Sequence, residues 1–334
     1  EAAKIPLIPL SDGRWVKPSQ SNVFLPGDTN GAELPDGLDT FLVDHEACQD
    51  AKRMDFFLWV GLKKCDQAEV CRMIMGLYNP FRGRTLTGSV QDLIYLFQTP
   101  RTVYGGSVKE LQFIGTGSPH FVYGSRLYIV YPNKTTIISK YFGNSTSQMS
   151  TFDPVYIEAV RKLGKETKFI NWACSYLDVS TLPRLVDYKG DPTQEFYFLK
   201  VNAVEDLLLL LRDNWDCYAR HFISNRSRIK RSISQIGVKC IDGLTRRLDE
   251  TVLPLEALKL AGPDLIFINI PEPENSRWLN LSTFGVLTSL STEFYLRELK
   301  ALAALPVANI PSKRAIELIY TKLASDKEHQ LEIQ

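Results

Sequence analysis

LDTFLVDHEACQDAKRMDFFLWVGL, residues 38–62, decides the fold, because its pattern returns as PDLIFINIPEPENSRWLNLSTFGV at residues 263–286. Each reads as an apolar strand, a polar connection, a short helix and a glycine suited to a left-handed helix end. Arg53 and Gly61 fall 224 positions before Arg277 and Gly285, and Glu69 of the next helix falls 224 before Glu293. A single shared glycine carries little weight, whereas an Arg, a Gly and a Glu in one register carry more.

The match extends towards the N-terminus. IPLSDGRWVKPSQSNVFLPG (residues 8–27) and VKCIDGLTRRLDETVLPLEAL (residues 238–258) each run from a strand into an Asp-Gly turn, Asp12-Gly13 and Asp242-Gly243, then through a polar stretch to Leu-Pro. The alternative is that strand, helix, glycine, helix is a common order which two unrelated stretches share by chance. The common register favours a repeat, and repeated modules bury their apolar faces against neighbours. Arg53 and Arg277 are expected to fix each module through charge-assisted bonds to carbonyls or a carboxylate.

Outside the repeat the pattern changes. CDQAEVCRMIMGLY opens with Asp66 as N-cap and Glu69 three residues later, which predicts a helix with Val70, Ile74 and Leu77 on one face. From Leu93 to Asn144 three β-branched or aromatic runs, ELQFIGTG, HFVYGSRLYIVY and TTIISKYF, predict an antiparallel meander. Asp153-Pro154 starts a helix to about Leu163, Phe169–Leu177 is a second, and the run from Asn202 to Phe222 is expected to be the longest. The fold class expected is α+β, with two related strand and helix modules flanking an antiparallel β meander and a helical layer. The boundaries read as 1–88 for the first module, 89–150 for the β-rich part, 151–232 for the helical layer, 233–308 for the second module and 309–334 for a C-terminal helix or tail.

At 334 residues, with 44% hydrophobic and 23% charged residues, the chain has the composition of an ordinary globular protein. A formal net charge of +1 provides no global field for nucleic acid or membrane, so such a partner needs a local patch. No apolar run approaches the ~20 residues of a membrane span. The six cysteines are scattered without a Cys-x-x-Cys, which argues against zinc and fits a reducing, intracellular setting in cytoplasm or nucleus. The Asn-x-Ser/Thr matches at Asn133, Asn144, Asn225 and Asn280 are read as chance. The chain opens at Glu1, inside an apolar phrase, as a piece of a larger protein would.

The sequence assembles no catalytic constellation. The four histidines, His45, His120, His221 and His329, stand apart from one another, and no His-Glu-x-x-His, G-x-S-x-G or Walker loop occurs. An unrecognised site in the β-rich region, near His120, is the remaining enzymatic option; otherwise no catalytic residue, metal or cofactor is expected. NRSRIKRS (225–232) concentrates Arg226, Arg228, Lys230 and Arg231, and Arg246 and Arg247 follow. Without interleaved aromatics this is a weak nucleic-acid signal, better read as a solvated connection. Trp15, Trp59, Trp172, Trp215 and Trp278 are read as core anchors, with a shared recognition surface as the alternative.

Over nearly its whole length the chain resembles the region downstream of the ATPase domain in large eukaryotic proteins related to plant NO VEIN and sacsin, fungal members especially. The resemblance rests on IPLSDGRWVKPSQSNVFLPG, RMDFFLWVGL, FDPVYIEAVRKLG, FINWACSYLDVSTLPRL, FYFLKVNAVEDLLLLLRDNWDCY, LIFINIPEPENSRWLNLSTFGV and EFYLRELKAL. It implies a Bergerat-type ATPase module upstream in the parent protein. Asp12-Gly13 and Asp242-Gly243 lack the glycine pattern of its nucleotide loop, so no ATPase residue carries over. The function this implies is a non-catalytic interdomain or client- and partner-binding segment of a chaperone-like protein, with a nucleic-acid-associated module as the alternative.

Overall fold

The computed structural model describes residues 5–29, 33–38, 40–78, 84–104, 107–116, 121–130, 135–142, 150–223, 227–304 and 316–324. The chain is α+β, with several small sheets that include antiparallel pairs. It divides into two compact units, residues 1–182 and 183–334. The helices expected to form one layer over 151–232 are therefore distributed between the two units.

The first unit opens with the hairpin β1 (Ile8–Pro9) and β2 (Trp15–Val16), followed by β3 (Val23–Pro26), β4 (Phe41–Leu42), α1 (His45–Gln49), α2 (Ala51–Trp59), β5 (Lys63–Cys65) and α3 (Gln67–Leu77). β3 is the middle strand of a parallel sheet in the order β4-β3-β5. Ile8, Leu10, Leu25, Val43, Phe57 and Leu62 close its small core. Asp66 caps α3 as expected, accepting the Glu69 N–H at 2.9 Å, and Val70 and Ile74 are buried.

α4 (Leu86–Gln98) and α5 (Arg101–Tyr104) lead into β6 (Gln112–Thr116), β7 (Phe121–Tyr123), β8 (Leu127–Tyr128), α6 (Ile137–Tyr141), β9 (Ser150–Phe152), α7 (Pro154–Lys162) and α8 (Glu166–Tyr176). Here the β-rich expectation is corrected in two places. Residues 93–98 end a helix, and TTIISKYF forms α6. The reason for the latter is local: Thr136 and Ser139 cap each other reciprocally, which offsets the low helix propensity of the isoleucines. The sheet order is β7-β6-β9-β8, with antiparallel pairs except between β8 and β9. Its face packs Phe113 and Phe152 on Tyr156, with ring centroids 6.0 and 4.6 Å apart.

In the second unit come α9 (Gln194–Asn202), α10 (Val204–Asp213), α11 (Trp215–Tyr218), α12 (Arg228–Ser234), the hairpin β10 (Gly237–Lys239) and β11 (Thr245–Arg247), α13 (Glu256–Ala261), a 3-10 helix (Ser276–Phe284) and α14 (Thr292–Ala303); residues 316–324 are also helical. The single long helix expected from Asn202 is broken. Ala203 (φ −149°) separates α9 from α10. At Asn214 (φ −128°) the side-chain amide donates to the Leu210 carbonyl at 3.1 Å, ending α10.

The two modules have the same hydrogen-bond scheme. In the hairpins, Leu10 N–H donates to Arg14 O (2.8 Å) and Gly13 N–H to Leu10 O (3.0 Å), while Cys240 N–H donates to Leu244 O (2.9 Å) and Gly243 N–H to Cys240 O (3.0 Å). Each hairpin then bonds the next strand, Ser11 N–H to Leu42 O and Ile241 N–H to Phe267 O, both at 2.9 Å. Phe24 lies between Leu42 and Lys63, and Val252 between Phe267 and Leu287, all four pairings being parallel. The core positions correspond as well: Ile8, Leu10, Leu25, Val43, Phe57 and Leu62 match buried Val238, Cys240, Leu253, Ile268, Leu281 and Val286. The spacing falls from 230 at the hairpin turns (13 to 243) to 224 at the helix ends (61 to 285), so the length differences are confined to connections. At the next helix the caps, Asp66 and Ser291, are 225 apart, which places Glu69 third and Glu293 second in their helices.

Candidate functional site

The module turns are built from the residues the sequence singled out. Asp12 Oδ1 accepts the Arg14 N–H at 3.0 Å and Asp242 Oδ1 the Leu244 N–H at 2.9 Å, while Gly13 and Gly243 take φ of 82° and 80°. Arg53 and Arg277 are alike only in their backbones: each N–H bonds the cap before it, Asp50 Oδ1 at 3.0 Å and Asn275 Oδ1 at 3.1 Å. Both residues are exposed, so the expected guanidinium clamp is not at these positions. In the second module Arg297 has that role, donating from Nη2 to the Gly285 carbonyl at 3.2 Å and from Nε to Glu293 at 3.1 Å. In the first, Glu69 pairs with Arg72.

The modules differ on their outer surface. Leu58 is 51% and Trp59 80% exposed at the end of α2, with the Trp59 ring 6.3 Å from that of Phe56. Trp15 is 58% exposed on β2. The core-anchor expectation thus holds for fully buried Trp278, which donates from Nε1 to Pro271 O at 3.0 Å, and fails for Trp15 and Trp59. The reason is that FFLWV, residues 56–60, is apolar on every side of the helix, so its pattern does not say which face is buried. Lys52, Lys63 and Lys64 are exposed along the same segment. By the shared register, Lys52, Leu58, Trp59 and Lys64 stand where the second module has Ser276, Ser282, Thr283 and Thr288.

The basic run is partly paired with carboxylates where it is described. Arg226 lies outside the described residues, as does His120. α12 buries Ile229 and Ile233, Arg228 pairs with Asp191 at 2.8 Å, Lys230 is half-buried and Arg231 is exposed. Arg247 is held by Asp249 at 2.7 Å and Glu250 at 3.8 Å, and Arg246 donates to the Thr245 carbonyl at 3.4 Å. Carboxylates within the second unit therefore take up part of the charge that a polyphosphate would need.

Two buried carboxyl groups among the described residues escaped the sequence reading. Asp92, on α4, is fully buried and receives two bonds of 2.8 Å from the Arg84 guanidinium, which also donates to the Asp36 carbonyl at 2.5 Å. Tyr78 donates its hydroxyl proton to Asp92 at 3.2 Å and lies in hydrogen-bond contact with Ser89 at 3.1 Å, and Ser89 and Tyr156 share a bond of 2.7 Å. Burial pushes the Asp92 carboxyl above its usual range, and Arg84 opposes that shift. With Asp92, Ser89 and Tyr156 all shielded from solvent, this network clips the segment at Asp36 onto α4. A lone acid in the apolar run SVQDLIYLF was the available signal.

The second group is Glu298 of α14, 3% exposed, whose Oε2 has no hydrogen-bond partner. Burial, with Asp264 adding to it, raises this carboxyl to about 7. Among the described residues no three His, Cys, Asp or Glu side chains gather as a metal site would require, and no helix is long and apolar enough to cross a membrane. No protein-family model, curated protein or solved structure matches the chain.

Proposed function

We propose that this chain is a non-catalytic partner- or client-binding segment of a larger, chaperone-like protein of the NO VEIN and sacsin type, working inside the cell. The observation that carries the reading is the contrast between the modules. The same scaffold bears small hydroxyl residues, Ser282 and Thr283, in one copy and exposed Leu58 and Trp59 in the other. Large exposed apolar residues that the fold does without are the mark of an interaction surface. The six free cysteines support a reducing compartment.

A nucleic-acid-associated module using Arg228, Lys230, Arg231, Arg246 and Arg247 has less support, because Arg228 and Arg247 are paired with carboxylates. Light scattering of heat-denatured malate dehydrogenase, with and without the purified chain at physiological salt, tests the main reading. Suppression at near-stoichiometric ratio is expected, and ATP should make no difference. ATP turnover by the chain would overturn the non-catalytic reading.

A further inference from the structure

Building on that reading, we infer that the end of α2 is a docking site for an acidic amphipathic segment of a protein partner, anchored on Leu58 and Trp59 and held by Lys52, Lys63 and Lys64. Leu58 and Trp59 are adjacent in the last turn of α2, and both stand out from a core that Phe57 closes beneath them. Trp59 shares its helix stripe with Lys52, seven residues back, while Lys63 and Lys64 follow across the Gly61 turn. None of the three lysines forms an ion pair among the described residues. Asp55 is the acid nearest in sequence to the anchors, and Asp50 turns its Oδ1 to the helix N–H groups at the far end. Over residues 50–66 the cations Lys52, Arg53, Lys63 and Lys64 stand against Asp50, Asp55 and Asp66, a surplus of one positive charge.

Edge protection accounts only for lysines on β5, the edge of β4-β3-β5, and does not explain Lys52 on α2 or the exposed Leu58 and Trp59. Nor does the surface suit single-stranded nucleic acid. It presents one exposed ring beside an aliphatic side chain, with Asp55 one turn away from both, whereas strand binding uses successive stacking rings along a basic groove. An apolar face bordered by carboxylates complements the pair and its lysines.

The test uses the whole chain and a fluorescent peptide of about 20 residues with leucines on one helical face and glutamates on the other; a control peptide has lysines for the glutamates. Anisotropy should report binding of the acidic peptide that weakens with salt, and none of the control. Leu58→Ser with Trp59→Thr installs the residues of the second module, so the variant should unfold at the wild-type denaturant midpoint while binding at least about tenfold more weakly, as loss of an anchor pair implies. Lys63→Ser with Lys64→Thr should weaken binding and flatten its salt dependence, and it carries the test if the first variant unfolds early.

Undiminished binding by both variants, equal binding of the lysine peptide, tighter binding of oligothymidylate at this surface, or self-association through Trp59 would each overturn the inference. If the Leu58→Ser, Trp59→Thr variant still suppresses client aggregation while the wild type ignores the acidic peptide, the docking site fails and the broader reading stands. If the wild type does neither, the broader reading fails as well.

Discussion

Gly61 and Gly285 close the same turn in the two modules, with φ of 90° and 93° and each donating its N–H to the carbonyl three residues back at 3.0 Å. Both positions need the left-handed conformation that a Cβ disfavours by roughly 1–2 kcal/mol. They differ in surroundings: a Cβ on Gly61 meets nothing within 4 Å, whereas on Gly285 it comes to 3.0 Å from Asp249 Cβ. Gly61→Ala should therefore lose about 1 kcal/mol of stability and Gly285→Ala more. Urea unfolding of the two variants checks the order.

Arg84 and Asp92 form a pair of which the carboxylate is fully buried. Arg84→Ala leaves that carboxylate without its cation and should cost about 3–5 kcal/mol, while Arg84→Met with Asp92→Leu should recover a large part of the loss. Amide exchange around Asp36 should also speed up in the single variant, because the Arg84 bond to its carbonyl is gone. A double variant no more stable than the single one would contradict the account.

Glu298 makes stability depend on pH. Its native carboxyl is raised to about 7 from an ordinary value of 4.5, so between these values the folded chain holds more proton than the unfolded one. The contribution is complete below the lower value and is lost as pH rises through the upper one, by at most about 3 kcal/mol. Denaturant midpoints compared near pH 5 and pH 8 should fall for the wild type and change less for Glu298→Gln.

Neutralising Arg228, Arg231 and Arg247 together should change stability by less than about 1 kcal/mol per exposed pair. Client suppression should also persist, since these charges belong to the second unit and the residues assigned to binding to the first. A strong, salt-sensitive loss of oligonucleotide binding in that variant would instead favour the basic run.

The parts that could be read in the sequence share a physical character. Asp12-Gly13 and Asp242-Gly243 form turns because Gly tolerates positive φ and Asp bonds the backbone two residues on. Asp66 and Asp153 start helices because their carboxylates accept unpaired N–H groups, and Gly61 and Gly285 follow the ends of two others. Such local signals link the two modules, at a spacing of 230 in the Asp-Gly turns and 224 at the helix-ending glycines. The errors lie where local signals compete, as in TTIISKYF, whose β-branched residues give way to a reciprocal cap, and at Asn214, whose amide ends a helix that the leucine run would continue.

What the sequence alone determined, then, is the order of turns, caps and amphipathic stretches and the presence of a repeated module, since each depends on contacts within a few residues. The tertiary structure decided which side of FFLWV faces outwards, that Arg84 reaches Asp92 and Asp36, and that Glu298 is left buried without a partner for Oε2. Those outcomes depend on what packs against each surface from distant parts of the chain. Burial and pairing are properties of that packing, and no local pattern carries them.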